Sequence, residues 1–178
     1  MLESESGQRE GRLILITGGA RSGKSAYAEE VAKAGGKDVL FVATAQPGDD
    51  EMRRRIHAHR ASRPRPWRTV EAPVGVAAAL AEQPVAPVVL LDCVTLLVSN
   101  LLLRRASVQA EIDALLEWHR SSGAELIAVT NEVGLGIVPD NALARQYRDE
   151  LGLANQRLAA AASSVVLMVA GIPVMVKP

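Results

Sequence analysis

A chain of 178 residues with nearly half its residues hydrophobic is long enough for one domain with a substantial core. Twenty basic residues balance twenty acidic ones, which argues against a generic nucleic-acid or membrane-surface binder. A single cysteine, Cys93, excludes a disulfide within the chain and any cysteine-based zinc site.

The first eleven residues, MLESESGQREG, are polar and acidic. They lack the basic start and apolar stretch of a signal peptide, so they read as a disordered tail before a single domain at 12–178. No apolar run approaches the roughly 18–20 residues of a membrane span. The expected setting is the cytoplasm, by elimination.

Short apolar runs then alternate with helical patterns. LILIT at 13–17 reads as a strand, too short and too branched for a helix. A Gly-rich turn and a helix from Lys24 to about Ala34 follow. VLFVAT at 39–44 is the second expected strand. Residues 50–62 read as helical until Pro64 and Pro66 break the pattern. A short Ala-rich helix is expected at 74–82, and VAPVVLLD at 85–92 is a strand apolar on both faces, which suits a covered parallel sheet. Helices are expected at 94–104 and 107–122, and a strand at 126–130. The loop NEVGLGIVP leads to a long helix starting at Pro139 or Asp140 and ending near Ala162. A strand pair at 165–170 and 173–178, turning at Gly171, closes the chain. This alternation predicts an α/β fold with a largely parallel sheet between helices.

GGARSGKS, Gly18 to Ser25, fits G-x-x-x-x-G-K-[ST] between a strand and a helix, the context in which this pattern binds nucleoside triphosphates. Glycines allow backbone N–H groups to turn around phosphate oxygens. The helix N-terminus adds positive dipole, Lys24 a point charge, and Ser25 a hydroxyl for Mg²⁺. Gly18, Gly19, Ala20, Arg21, Ser22, Gly23, Lys24 and Ser25 are therefore nucleotide-binding candidates. Asp92 ends the apolar strand VVLLD, where a carboxylate can hold Mg²⁺ through water or cap the next helix.

Residues 53–68, RRRIHAHRASRPRPWR, hold seven arginines, two of the three histidines and no acid. A solvated helix face, a nucleic-acid surface and a second wall of the nucleotide site are all compatible with such a run. In the last case a histidine could attack a phosphate as a covalent nucleophile, kept neutral by its arginine neighbours. TNEVGLGIVP follows a strand and precedes a helix, and reads either as a rim of the active site or as a loop that shapes the helix start.

GGARSGKS, ATAQ, DDEMRRRIHAHRASRPRPWRTVE, LLDC, TNEVGLGIVPDNALARQYRDELGLANQRLAAAA and VAGIPV, in this order, resemble the bifunctional adenosylcobinamide kinase/adenosylcobinamide-phosphate guanylyltransferases. The resemblance runs from about Leu13 to Val176. Its most specific run is H-x-x-x-R-P-x-x-W-x-T-x-E, His59 to Glu71.

The resemblance implies a RecA-like P-loop NTPase-type core and trimeric assembly. It implies phosphorylation of the corrinoid adenosylcobinamide by GTP or ATP, then transfer of GMP from GTP to the product through a guanylylated histidine. His59 fits that histidine better than His57, by its spacing to Arg63 and Pro64. Thr44, Ala45, Gln46, Arg60, Ala61, Ser62, Arg63, Glu71 and Asp92 look like further nucleotide contacts, with Mg²⁺ on Ser25 and Asp92. The resemblance implies His59, Lys24 and Asp92 as the catalytic set. A plain small-molecule P-loop kinase is the alternative reading, with the arginine segment as a lid. His119, in a helical stretch beside Trp118, reads as structural or exposed.

Overall fold

The computed structural model describes residues 11–34, 38–48, 50, 53, 54, 57, 60, 64 and 66–178. Its sheet contains β1 (Leu13–Gly18), β2 (Val39–Ala43), β3 (Arg68–Glu71), β4 (Val88–Asp92), β5 (Glu125–Val129), β6 (Ser164–Val169) and β7 (Ile172–Lys177). The strand order is β3-β2-β4-β5-β1-β6-β7. All neighbours are parallel except β6 and β7, which form an antiparallel hairpin.

The helices with full bounds are α1 (Lys24–Ala34), α2 (Val76–Ala81), α3 (Val94–Leu103), α4 (Val108–Ser122) and α5 (Ala142–Ala161). Asp50, Arg53, Arg54, His57 and Arg60 are also helical, within the expected helix at 50–62.

Strand alternation sorts the core into two layers. Leu13, Leu15, Leu40, Val42, Val89, Leu91, Leu126 and Ala128 face α2, α3, α4 and α5. Ile14, Ile16, Phe41, Leu90, Ile127 and Val129 face the other way, onto Ala28 and Ala32 of α1. Covered on both sides, β1, β2 and β4 lack a polar face, which is why they read as continuous apolar runs. The alanines of α1 present little bulk, so the helix that follows the Gly-rich turn lies close on the sheet.

The structure corrects the sequence reading at three places. RTVE at 68–71 is a strand, paired in parallel with β2 from Leu40↔Arg68 to Ala43↔Glu71. It has one apolar member, Val70, in an edge strand just after a proline-rich run, so it carries almost no periodic signal. The long helix begins after Asn141, whose side chain accepts from the Ala144 N–H at 3.1 Å, rather than at Pro139 or Asp140. Gly11, read as tail, packs against the 123–124 turn; a Cβ there would lie 1.9 Å from the Ala124 carbonyl oxygen.

Candidate functional site

β1 and β5 are neighbours whose onward connections leave in opposite directions, β1 toward β2 and β5 across β1 toward β6. Such a switch point opens a crevice beyond the carboxyl ends of the strands. The Gly18–Ser25 turn and the loop after β5 both rise there.

The turn's shape depends on its glycines. Gly18 has φ 147° and Gly23 φ 94°. A Cβ at Gly18 would stand 2.5 Å from the Met168 carbonyl oxygen, and one at Gly23 would press on Gly171 at 3.2 Å. The β6–β7 turn clasps the loop from outside, with the Gly171 N–H donating to the Ser22 carbonyl at 3.0 Å. That brace joins residues about 150 positions apart, and no local pattern announces it. Gly19, Ala20 and Arg21 are exposed, and Arg21 adopts a left-handed φ of 56°.

Lys24 opens α1 yet is 8% exposed. Its ammonium donates to the Gly19 carbonyl at 2.5 Å and to Ser22 Oγ at 3.4 Å, so it lies along the inside of the loop. Burial lowers its pKa, opposed by Cys93 and Asp92. Lys24 and Asp92 therefore share one electrostatic environment, although α1 and β4 are far apart in sequence. Ser25 and Asp92 are both half-buried, accessible enough to meet a cation.

Asp92 is joined by a cis peptide to Cys93, and both backbone groups of Cys93 are tied down. The Cys93 N–H donates to Thr44 Oγ1 at 2.8 Å, and that hydroxyl donates to the Cys93 carbonyl at 2.8 Å. The Thr44 carbonyl accepts from Asn100 Nδ2 at 2.8 Å, and the same amide reaches the Pro73 carbonyl. Thr44 is fully buried, so its hydroxyl locks the end of β2 to the end of β4. Ala45, half-buried, and Gln46, exposed, are the members of that trio open to a ligand. Burial and the adjacent Asp92 carboxylate push the Cys93 thiol up to about 11.

The arginine-rich segment is tied to the sheet at several described points: Trp67 packs on the layer that holds α1, Arg68 opens β3, and Arg60 pairs with Glu71, at the carboxyl end of β3. Two candidates from opposite sides of the proline-rich run are thus brought together on the same sheet edge as the phosphate loop. They do not stand beside it. Four strand intervals separate β3 from β1, roughly 19 Å at about 4.8 Å each. His57 is exposed, while His59, Ala61, Ser62 and Arg63 lie outside the described residues. His119 is buried in α4.

The loop after β5, read from the sequence as a rim of the active site or a shaper of the helix start, is fixed at its foot by its own Thr130 and Asn131 and by Asn155 and Thr95, to which the sequence reading gave no individual role. Thr130 Oγ1 donates to Asn155 Oδ1 at 2.7 Å, and Asn155 Nδ2 donates to the Asn131 carbonyl at 3.0 Å. The Asn131 N–H donates to Thr95 Oγ1 at 2.8 Å. The Glu132 N–H donates to the Gly18 carbonyl at 3.1 Å, linking this loop to the phosphate turn. Beyond that foot the loop is apolar and open: Leu135 is 90% and Ile137 97% exposed.

Among the described residues, no three carboxylate, histidine or cysteine side chains gather to hold a metal. The candidate donors are one hydroxyl, Ser25, and one carboxylate, Asp92. That set fits Mg²⁺, which keeps several waters and takes its other ligands from phosphates.

Comparison with known proteins gives a consistent result. The model of the family described as cobinamide kinase / cobinamide phosphate guanyltransferase matches residues 14–176. The chain is 46% identical over 166 residues to the bifunctional adenosylcobalamin biosynthesis protein CobP of Pseudomonas aeruginosa, covering 92% of this chain and 96% of that one. It is 44% identical over 182 residues to the bifunctional adenosylcobalamin biosynthesis protein CobU of Escherichia coli K12, covering 93% of this chain and 99% of that one. Among solved structures it is similar to the RadB recombinase, with TM-score 0.50 and 15% identity over 89% of this chain and 74% of that one. A Pyrococcus horikoshii OT3 protein gives TM-score 0.55 and 8% identity, over 95% and 87%. These two likenesses concern the fold alone.

Proposed function

The chain belongs to the cobinamide kinase / cobinamide phosphate guanyltransferase family, and from that premise we propose that it carries out both transfers of cobalamin synthesis at the carboxyl edge of its sheet. In the first, the γ-phosphoryl group of GTP or ATP passes to the aminopropanol hydroxyl of adenosylcobinamide. In the second, GMP from GTP joins that new phosphate through a guanylylated His59, giving adenosyl-GDP-cobinamide.

The observation that carries this reading is the shared edge: Lys24 inside its loop, Asp92 beside it, and the histidine- and arginine-bearing segment anchored on Glu71 by Arg60. The Gly18–Ser25 backbone and Lys24 hold the triphosphate. Ser25 and Asp92 would hold Mg²⁺, which would neutralise charge developing on the phosphates. Ala45 and Gln46 border the nucleotide, and Thr44 supports them.

In the second step a neutral imidazole nitrogen of His59 attacks the α-phosphorus of GTP. The P–N bond forms as the bond to the bridging oxygen breaks, and pyrophosphate leaves with that electron pair. The phosphate oxygen of cobinamide phosphate then attacks the same phosphorus and releases the histidine. Splitting the transfer makes each displacement easier. The arginines at 60 and 63 stabilise the charge on the α-phosphate. The reaction requires the His59 nitrogen to come within about 3–3.5 Å of the phosphorus. The segment must therefore reach inward from β3 over the sheet edge, or the nucleotide must lie across it. The exposed apolar loop at 133–138 borders the same crevice and supplies a rim for the corrinoid.

The test is incubation with α-labelled GTP and Mg²⁺, with cobinamide phosphate withheld. GMP should remain on the protein through an acid-labile, base-stable P–N bond. His59→Ala should lose it and His57→Ala keep it. Label mapped to His57 would move the residue assignment alone. Absence of any adduct would favour a plain kinase.

A further inference from the structure

The phosphorylation step requires a group to take the proton of the substrate hydroxyl, and we propose that Glu132 is that group. The proposal rests on the kinase half of the reading above. Glu132 stands in the crevice where β1 and β5 part, directly against the phosphate turn, its N–H bonded to the carbonyl of Gly18 at 3.1 Å. Its carboxylate is positioned by its own loop: Oε1 accepts from the Gly134 N–H at 2.5 Å. A side chain at Gly134 would crowd that oxygen, since a Cβ would lie 2.9 Å from it. The turn uses one of the roughly four lone-pair sites of a carboxylate, which leaves capacity for a substrate hydroxyl.

The loop's foot gives this placement its stiffness. Thr130 is fully buried, and Asn155 of α5 holds both its hydroxyl and the Asn131 carbonyl, while Thr95 of α3 holds the Asn131 N–H. Two helices thus fix the two residues that precede Glu132, and the residue itself remains half-exposed. Asp92, at the end of the neighbouring strand β4, acts electrostatically on Lys24 and would hold the cation under the reading above. The exposed apolar residues beyond Glu132 offer a surface for a bulky substrate beside this carboxylate.

The step balances. The hydroxyl oxygen attacks the γ-phosphorus and forms the new O–P bond. The bond between that phosphorus and the β–γ bridging oxygen breaks, and its electron pair leaves with the nucleoside diphosphate. The hydroxyl proton passes to a Glu132 oxygen.

Glu132→Gln keeps an oxygen for the Gly134 N–H and removes the base, which makes it the informative variant. With ATP and cobinamide, kcat for phosphorylation should fall about 100-fold or more. KM for both substrates should stay within about threefold. GMP retention from labelled GTP needs no hydroxyl deprotonation, so it should persist, which also reports that the variant is folded. Glu132→Asp should recover part of the lost rate. Phosphorylation at the wild-type rate in Glu132→Gln would overturn the proposal. So would equal losses of phosphorylation and GMP retention with a raised nucleotide KM, which would make Glu132 a support of the loop. A wild-type protein unable to phosphorylate cobinamide would instead remove the kinase reading on which the proposal stands.

Discussion

At the residue scale, Lys24 separates function from stability. It is almost completely buried, and desolvation lowers its pKa despite Asp92 nearby. A base whose folded pKa is lowered weakens the fold while it is charged, and that cost disappears as pH rises above the folded value. Lys24→Ala should therefore leave Tm at pH 7 unchanged or higher. The same change removes the charge that meets the outer phosphates, so both transfers should fall about 100-fold or more. Thermal melts and steady-state rates check the two halves, and a sharp drop in Tm would refute the first. Cys93 gives a pH prediction of the opposite kind. Its folded pKa is about 11, raised by burial and Asp92 from 9.0. An acid with a raised folded pKa ionises first in the unfolded chain, so its contribution to stability is complete below about pH 9 and is lost as pH climbs toward about 11. At pH 8 the thiolate fraction is roughly 100-fold smaller than for an unshifted thiol. An aromatic disulfide reagent should then react with the native protein slowly and with the denatured chain at once, and comparable rates would contradict the assignment.

At the scale of elements, much of the architecture could be read in the sequence, because a strand buried on both faces and a helix on a sheet leave different periodicities. β1, β2, β4 and the β6–β7 pair appeared where their apolar runs lie. What escaped the reading depends on partners distant in sequence: β3, the brace from Gly171 to Ser22, and the clamp of Asn155 on the loop after β5. The phosphate turn was legible because its chemistry demands a fixed local pattern. The run that holds Glu132 was legible as a possible rim of the active site, but an individual role for that glutamate has no meaning until β5 is placed beside β1. Helix α2 makes the same point and can be tested. Its N-cap is Gly75, with φ 65° and no side chain to accept from the first turn. Glu111 of α4 supplies the acceptor, taking the Gly75 N–H at 3.2 Å and the Val76 N–H at 2.7 Å. A carboxylate on a helix N-terminus satisfies its free donors and complements its dipole. Glu111→Ala should cost about 1–2 kcal/mol in chemical denaturation, with Glu111→Gln costing less. A loss under about 0.3 kcal/mol would show that water replaces the carboxylate at no expense.

At the scale of the whole molecule, the two margins of the sheet are finished differently. The β3 margin carries charge: Arg68 bonds Asp38 at 2.8 Å, and Glu71 bonds Arg60. The β7 margin is apolar. Ile172, Val174, Met175 and Val176 are each 46–64% exposed, and Val169, paired with Ile172, is 52% exposed. Lys177 is the strand's one charge, and its ammonium turns inward to the Ala159 and Ala160 carbonyls at the end of α5. Edge strands of stable monomers are usually blunted by charge, and an unprotected apolar edge marks a contact surface. We propose that the chain assembles as a trimer, and a cyclic trimer would use such an edge by seating it on a different patch of the next copy. Sedimentation equilibrium should thus return about three times the 18.9 kDa chain mass. Val174→Lys places a charge in the middle of the exposed edge, away from the phosphate turn's contacts with Met168 and Gly171. It should shift the protein toward smaller species and leave its far-ultraviolet circular dichroism unchanged. A wild-type monomer at micromolar concentration would exclude the assembly, and a trimer untouched by Val174→Lys would move the interface elsewhere on the surface.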